Sequence, residues 1–310
     1  MLGRCFVEQL LTRTCYGVNA GYSETGQRPP ARLGEEPRCR VVRGDLRVPG
    51  VWEKLLENAD CVVHLAQKVH PVAGQLASFS EAVAGGVEPT TRLFALLARY
   101  ERPVHLIFPS SGGTVYSSVP GRRQPYSETE APCPVSAYGI QKVAMENYIK
   151  LVSVMNKNVT ANILRITNPY GIPLEHARGQ GFIGVALENI RLGLPIKVWG
   201  KPNVMRDFIH LEDVSRAILK AIEYRAGVEI INIGSGVAIK LGDVVATMSS
   251  LLGFEVTCES VENDNPFLPD WNAVDICKAA AVLGWAPEIG LTLGLQRAIE
   301  YMDCVKGSGF

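Results

Sequence analysis

The sequence predicts an α/β chain: a doubly wound parallel sheet followed by a smaller, mixed α/β lobe. Three observations predict it. Val104 to Phe108 is a short, apolar, β-branched run that leads into Ser110-Ser111-Gly112-Gly113, the pattern of a buried parallel strand delivering hydroxyls at its carboxyl end. Asp60-Cys-Val-Val-His64-Leu65-Ala66 and Val159 to Ile166 are further apolar runs of strand length. After Gly171 the chain turns into a Gly/Pro-interrupted mix, which sets the expected division: residues 1–170 for the sheet domain, and 171–310 mainly for the second lobe with some segments returning. In such sheets ligands bind at the carboxyl ends of the strands.

Composition narrows the classes. The 310 residues, 47% apolar, are enough to bury a large core. Lys plus Arg and Asp plus Glu number 31 each, so net charge gives no argument for nucleic acid or an anionic membrane. The eight cysteines form no Cys-x-x-Cys pair and no cysteine–histidine cluster at metal-ligand spacing, so reduced thiols and no metal are expected. No run approaches the ~18 apolar residues of a membrane span, and no signal-peptide pattern opens the chain, so the expected location is the cytoplasm.

The chemistry centres on residues 108–142. Ser136-Ala-Tyr138-Gly-Ile-Gln-Lys142 opens a helical segment, and the four-residue step puts the Tyr138 phenol and the Lys142 ammonium on one face. A phenol titrates near ~10, and a cation a few ångströms away favours its ionised form, which makes tyrosinate a usable base. Ser111 is the candidate hydroxyl that shares the substrate's hydrogen bond; Ser110 and Thr114 are the alternates. A Tyr-x-x-x-Lys step alone also suits a solvated surface pair. Set behind a strand, Ser-Ser-Gly-Gly and Thr114-Val-Tyr116, it resembles the extended short-chain dehydrogenase/reductase family, in its nucleotide-sugar epimerase/dehydratase branch. The resemblance covers essentially the whole chain and implies a Rossmann-like domain that binds NAD.

Taken in order, Leu2, Phe6, Leu10 and Leu11 predict an amphipathic helix over residues 1–13. In the family a strand and Gly-x-x-Gly-x-Leu-Gly-Arg come first, and here Leu2-Gly3-Arg4 match the end of that pattern, with Gly3 as the glycine on which helix packs against strand. The expectation is that Met1 is an internal methionine and that the strand and its glycines lie upstream in the gene. Cys15 to Gly21 is the second strand; no acid ends it, which leaves NAD against NADP undecided. Arg40-Val-Val-Arg-Gly-Asp45-Leu46 resembles the third strand and its turn, whose acid holds the adenine. His64-Leu65-Ala66 resembles the turn under the cofactor, continued by Gln67 where relatives have a second alanine. His64 reads as structural. Leu93, Leu96 and Leu97 predict a helix toward Tyr100, with Gly86 where the family often has asparagine.

In the second half, Asn168-Pro169-Tyr170-Gly171 matches a turn whose asparagine contacts the substrate diphosphate. Arg206, in Arg206-Asp207-Phe208-Ile209-His210, is the diphosphate arginine by resemblance, its planar fork suiting bidentate bonds; a salt bridge to Asp207 or Asp213 is the bland alternative. Val228 to Ile233 and Leu241 to Leu252 follow as strand and helix, and Trp271 and Trp285 as packing residues.

The resemblance implies 4-epimerisation of a UDP-hexose through a transient 4-keto sugar, with Ser111, Tyr138 and Lys142 catalytic. Gly3, Asp45, Leu46, Leu65, Ala66, Gln67, Tyr138 and Lys142 would meet the cofactor, and Ser111, Asn168 and Arg206 the substrate. Dehydratases of the family place an Asp-Glu pair where Gly112 and Gly113 stand, so elimination is disfavoured. An NADPH-dependent nucleotide-sugar reductase and a non-catalytic or truncated homologue are the alternatives. A homodimer through the helices of residues 79–100 and 138–155 is also implied.

Overall fold

The computed structural model describes residues 2–23, 33, 35–66, 83–116, 119, 121–171, 181–199, 204–261 and 270–307. The first half runs α1 (Leu2–Arg13), β1 (Val18–Tyr22), β2 (Cys39–Arg43), α2 (Val51–Leu56), β3 (Cys61–Val63), α3 (Glu88–Leu97), β4 (Val104–Ser111), α4 (Ala137–Met155), β5 (Val159–Ile166) and β6 (Asn168–Tyr170). The second runs α5 (Phe182–Arg191), β7 (Ile196–Trp199), β8 (Met205–His210), α6 (Leu211–Glu223), β9 (Val228–Ile233), β10 (Ala238–Lys240), α7 (Leu241–Leu252), β11 (Cys258–Val261), β12 (Trp271–Asn272), α8 (Cys277–Leu283) and α9 (Leu291–Gly307).

The central sheet is parallel throughout, in the order β3-β4-β5-β9. Its middle strands are apolar on both faces because helices cover both. Leu106 and Phe108 face α3 and α4, packing with Leu93, Leu97, Met145 and Ile149. Ile107, between them, turns the other way onto α1 and α6, with Phe6, Leu10, Val214 and Ile218. A second parallel pair, β1 with β2, lies beside this sheet. Among the described residues β1 hydrogen-bonds only β2 and β3 only β4; Val18 and Val63 both pack against the core that α1 shares.

Every strand read from the sequence is present within a few residues, and the long helix opens at Ala137 as expected. The helix toward Tyr100 is α-helical only from Glu88. Val83–Val87 is a π-helical turn, in which Gly86 O accepts the Thr90 hydroxyl. A separate core joins Tyr170, Ile183, Ile196, Phe208, Val244, Met248, Leu295 and Ile299, while β9 and α8 pack back onto the first sheet. At the centre of the second half stands β8, between β10 and β12, with β6 paired to its carboxyl end.

Two buried histidines make this packing sensitive to acid. His64 bonds Thr90 Oγ1 at 2.9 Å and lies edge-on to Trp52, the structural role expected of it. His105 bonds Thr160 Oγ1 at 2.7 Å and faces Ala221 O at 3.1 Å. Burial, helped by the Lys142 charge, pushes His64 down to about 3; burial pushes His105 down to about 4, against the Ala221 bond. Both depressed groups are neutral in the folded and unfolded chain above the usual histidine value. As pH falls below ~6.5 the unfolded chain takes up two protons that the folded one refuses, so stability is lost at about 2–3 kcal/mol per pH unit. Urea unfolding at pH 5 is therefore expected to show a clearly lower midpoint than at pH 7; equal midpoints would contradict the assignment.

Candidate active site

The site forms where β4 ends against the first turns of α4. Ser136 caps that helix, its hydroxyl accepting from Gly139 N at 3.1 Å. Tyr138, Lys142 and Glu146 then succeed one another at four-residue steps on the face toward β4. Gly139 is required there: a Cβ would stand 2.4 Å from Thr114 O, so the turn after β4 lies directly on the residue following Tyr138.

Lys142 is 4% exposed, and its Nζ donates to Pro109 O at 2.6 Å. The ammonium stands 4.9 Å from the Phe108 ring centre and 5.5 Å from that of Tyr138. Burial pushes Lys142 down to about 7, opposed by the Glu146 charge, and pushes Tyr138 up to about 12. Burial is the cause on the phenol, while the Lys142 proton is directed to the Pro109 carbonyl.

The three candidate hydroxyls lie in different settings. Ser110 Oγ donates to Glu146 Oε1 at 2.5 Å, so it is engaged. Adjacent strand residues point to opposite faces, which turns Ser111 away from α4 although it does end β4. Thr114, the other alternate, carries a buried Oγ1 with no hydrogen-bond partner and belongs to the turn that packs on Gly139. Its backbone carbonyl, not its hydroxyl, is the atom that meets Gly139.

Gly112 is closely surrounded. A Cβ on it would lie 2.8 Å from Arg165 O and 3.0 Å from Val274 Cγ1, so no acid fits without moving backbone. Asn272 Nδ2 donates to Gly112 O at 3.2 Å and holds the turn from the far side.

The substrate-side residues come to the same turn. A Cβ on Gly113 would be 3.8 Å from Asn168 Oδ1, and Asn168 Nδ2 donates to Asp207 O at 2.8 Å. Asp207 is fully buried and accepts from Ser235 N and Oγ, Gly236 N and Val274 N. Arg206 does not pair with Asp207 or Asp213. Its Nη1 bonds Met205 O, and burial pushes it down to about 10, against the pull of Asp270. A desolvated guanidinium in mid-sheet gains most from an anion.

On the cofactor side, Gly3 stands at the amino end of α1 against Leu65: a Cβ there would be 3.7 Å from Leu65 Cδ1, an ordinary contact, so the position does not demand glycine. The first turn of α1 thus borders the carboxyl end of β3, next to the exposed Ala66. Asp45 makes a two-pronged ion pair with Arg47. Leu46 and Leu65 pack into the two cores, and Gln67 lies outside the described residues.

Sequence reasoning missed Glu146, Arg165, Asp207 and Asn272. The signals were a carboxylate continuing the Tyr138–Lys142 step and an arginine inside the apolar run of β5. No three His, Cys, Asp or Glu side chains among the described residues converge on a metal position.

A phenol and an ammonium gathered at the carboxyl edge of a doubly wound sheet are equipped to move a hydroxyl proton while a nicotinamide handles hydride, which defines the class. Residues 1–234 match the model of the NAD dependent epimerase/dehydratase family. The chain belongs to that family. It is 33% identical over 201 residues to a dTDP-4-dehydro-6-deoxyglucose reductase of Escherichia coli, covering 64% of this chain and 61% of that protein. It is 28% identical over 210 residues to a UDP-glucose 4-epimerase of Mycolicibacterium smegmatis, covering 67% and 64%. The chain thus spans less than two thirds of the length of both. Among solved structures, MoeE5 in complex with UDP-glucose and NAD superposes with a TM-score of 0.82 at 26% identity, covering 98% of this chain and 96% of that one.

Proposed function

We propose that this protein is an NAD-dependent epimerase that inverts the C4 hydroxyl of a UDP-hexose. The observation that carries the reading is the placement of Tyr138 and Lys142 on one face of α4, beside a turn closed to any added acid at Gly112 and facing Asn168. Tyr138 removes the sugar hydroxyl proton and returns it after the keto sugar has turned over. Thr114, or Ser111 from the strand end, shares a hydrogen bond to that oxygen. Asn168 and Arg206 grip the diphosphate. The amino end of α1, Ala66 and Lys142 would hold the dinucleotide, and Asp45 its adenine end. When bound, NAD supplies reversible hydride acceptance. Burial keeps the phenol protonated at neutral pH, so base work requires the ammonium to stand closer to the phenolate oxygen than to Pro109.

The reductase relative makes NADPH-dependent reduction the second reading, since it would use the same residues. Two portions of the purified chain decide, one denatured and assayed for released NAD or NADP and one kept native and assayed for UDP-glucose/UDP-galactose interconversion: turnover without net change in cofactor supports the epimerase, and mole-for-mole loss of NADPH the reductase. Neither bound cofactor nor turnover would favour a non-catalytic homologue.

We read residues 1–170 as the cofactor domain and 171–310 as mainly the substrate lobe, a division supported by the separate core around Phe208. No helix among the described residues is long and apolar enough to cross a membrane. The seven described cysteines are free thiols. A homodimer is supported by α4, whose outer face exposes Ile140, Tyr148, Leu151 and Val154 in one stripe. Leu151→Glu is expected to convert a dimer to monomers in sedimentation; an unchanged sedimentation coefficient would remove this face from consideration.

A further inference from the structure

Behind the site lies a polar network with no part in the reading above. Glu146 and Arg165 are each 1% exposed and are joined by two bonds, Arg165 Nε to Oε1 at 3.1 Å and Nη2 to Oε2 at 2.7 Å. Arg165 Nη1 continues to Tyr116 Oη at 3.0 Å, which donates to Asn232 Oδ1 at 2.7 Å. Asn232 in turn bonds Tyr126 O and, through its amide, Glu128. A buried ion pair costs desolvation and is weak evidence for stability alone, so its position asks for a reason.

That position is specific. Glu146 is one turn beyond Lys142, and the same carboxylate accepts from Ser110, the residue after the carbonyl that receives Lys142 Nζ. Two elements that must keep register, the end of β4 and the helix bearing phenol and ammonium, are therefore tied through one carboxylate. The charged and titratable groups around it are Lys142 from α4, Arg165 from β5 and, beyond Arg165, Tyr116 from the turn after β4. His64, after β3, faces Lys142. Two buried cations share this one anion.

We propose that Glu146 is a positioning residue: its carboxylate, gripped by Arg165 and by Ser110, locks the end of β4 to α4 one turn beyond Lys142. The proposal rests on the functional reading only for what the aligned groups then do. Without the carboxylate, the two elements lose that tie and Lys142 loses the negative charge that favours its ammonium.

The test is Glu146→Gln, which keeps shape and an acceptor oxygen but removes charge. Lys142 ionisation is followed by NMR of 13Cε-labelled lysine, as the difference from the matching Lys142→Met chain, together with the pH profile of kcat. The expected result is a shift of Lys142 ionisation to lower pH by about one unit, because an ammonium loses its neighbouring anion, with kcat at pH 7 about fivefold lower and KM within about twofold. An unshifted ionisation in the folded variant would overturn the proposal and leave Glu146 a structural ion pair. Because E146Q strands a buried guanidinium, the E146Q/R165Q chain serves if the single variant does not fold. The same shift is expected there, since Glu146 is the charge that acts on Lys142. Absence of cofactor and turnover in the unaltered chain would sink the functional reading, and the Lys142 titration would still decide the role of Glu146.

Discussion

Tyr138→Phe is expected to lower UDP-hexose interconversion by about 10²–10⁴-fold while leaving the fold and bound NAD content unchanged, because only the proton-carrying oxygen is lost. Lys142 Nζ bonds Pro109 O and stands over the ring, which phenylalanine preserves, so the helix start should not move. Parallel Thr114→Val and Ser111→Ala chains identify the partner hydroxyl. Thr114, buried without a hydrogen-bond partner on the turn against Gly139, is expected to cost the larger loss in kcat. Activity retained in Y138F to within tenfold would remove Tyr138 as the base, whatever the reaction.

Asp207→Ala is expected to destabilise the chain by about 3 kcal/mol or more and to weaken UDP binding with it. The carboxylate accepts from three backbone amides and one hydroxyl, and each donor left unmet in a buried place costs about 1–3 kcal/mol. Those donors lie in residues 235–236 and at Val274, which wrap β8 beside Asn168 and Arg206. Gly234 shows how closely the loop is drawn in: a Cβ there would be 2.5 Å from Asp207 Oδ2. Thermal unfolding and a UDP titration on the folded fraction measure both effects. A melting temperature unchanged from the parent would show that solvent meets those donors.

Local pattern was enough to find β4, β5, β9 and α4, because each is a run whose period and ending are chemical statements about itself. Val159 to Ile166 and Val228 to Ile233 agree with the structure at both ends. The π-helical turn at Val83–Val87 was not legible, since Gly85-Gly86 and Pro89 weaken a helix without saying which irregular form follows. Nor was the true partner of Arg206: adjacency to Asp207 suggests a salt bridge, but strand alternation sends the two side chains to opposite faces of β8.

What the sequence by itself determined is the fold, the family and the Tyr138–Lys142 pair, because these depend on spacings within single elements. The tertiary structure decided the rest. Ser110 is engaged by Glu146 and Gly112 is closed by the Arg165 carbonyl, contacts between residues far apart in the chain, and the facing of β4 turns Ser111 away from α4. The protonation of Tyr138 and Lys142 belongs there too. A spacing rule places a cation near a phenol, but burial of both groups and the Glu146 charge on Lys142 are set by the tertiary structure.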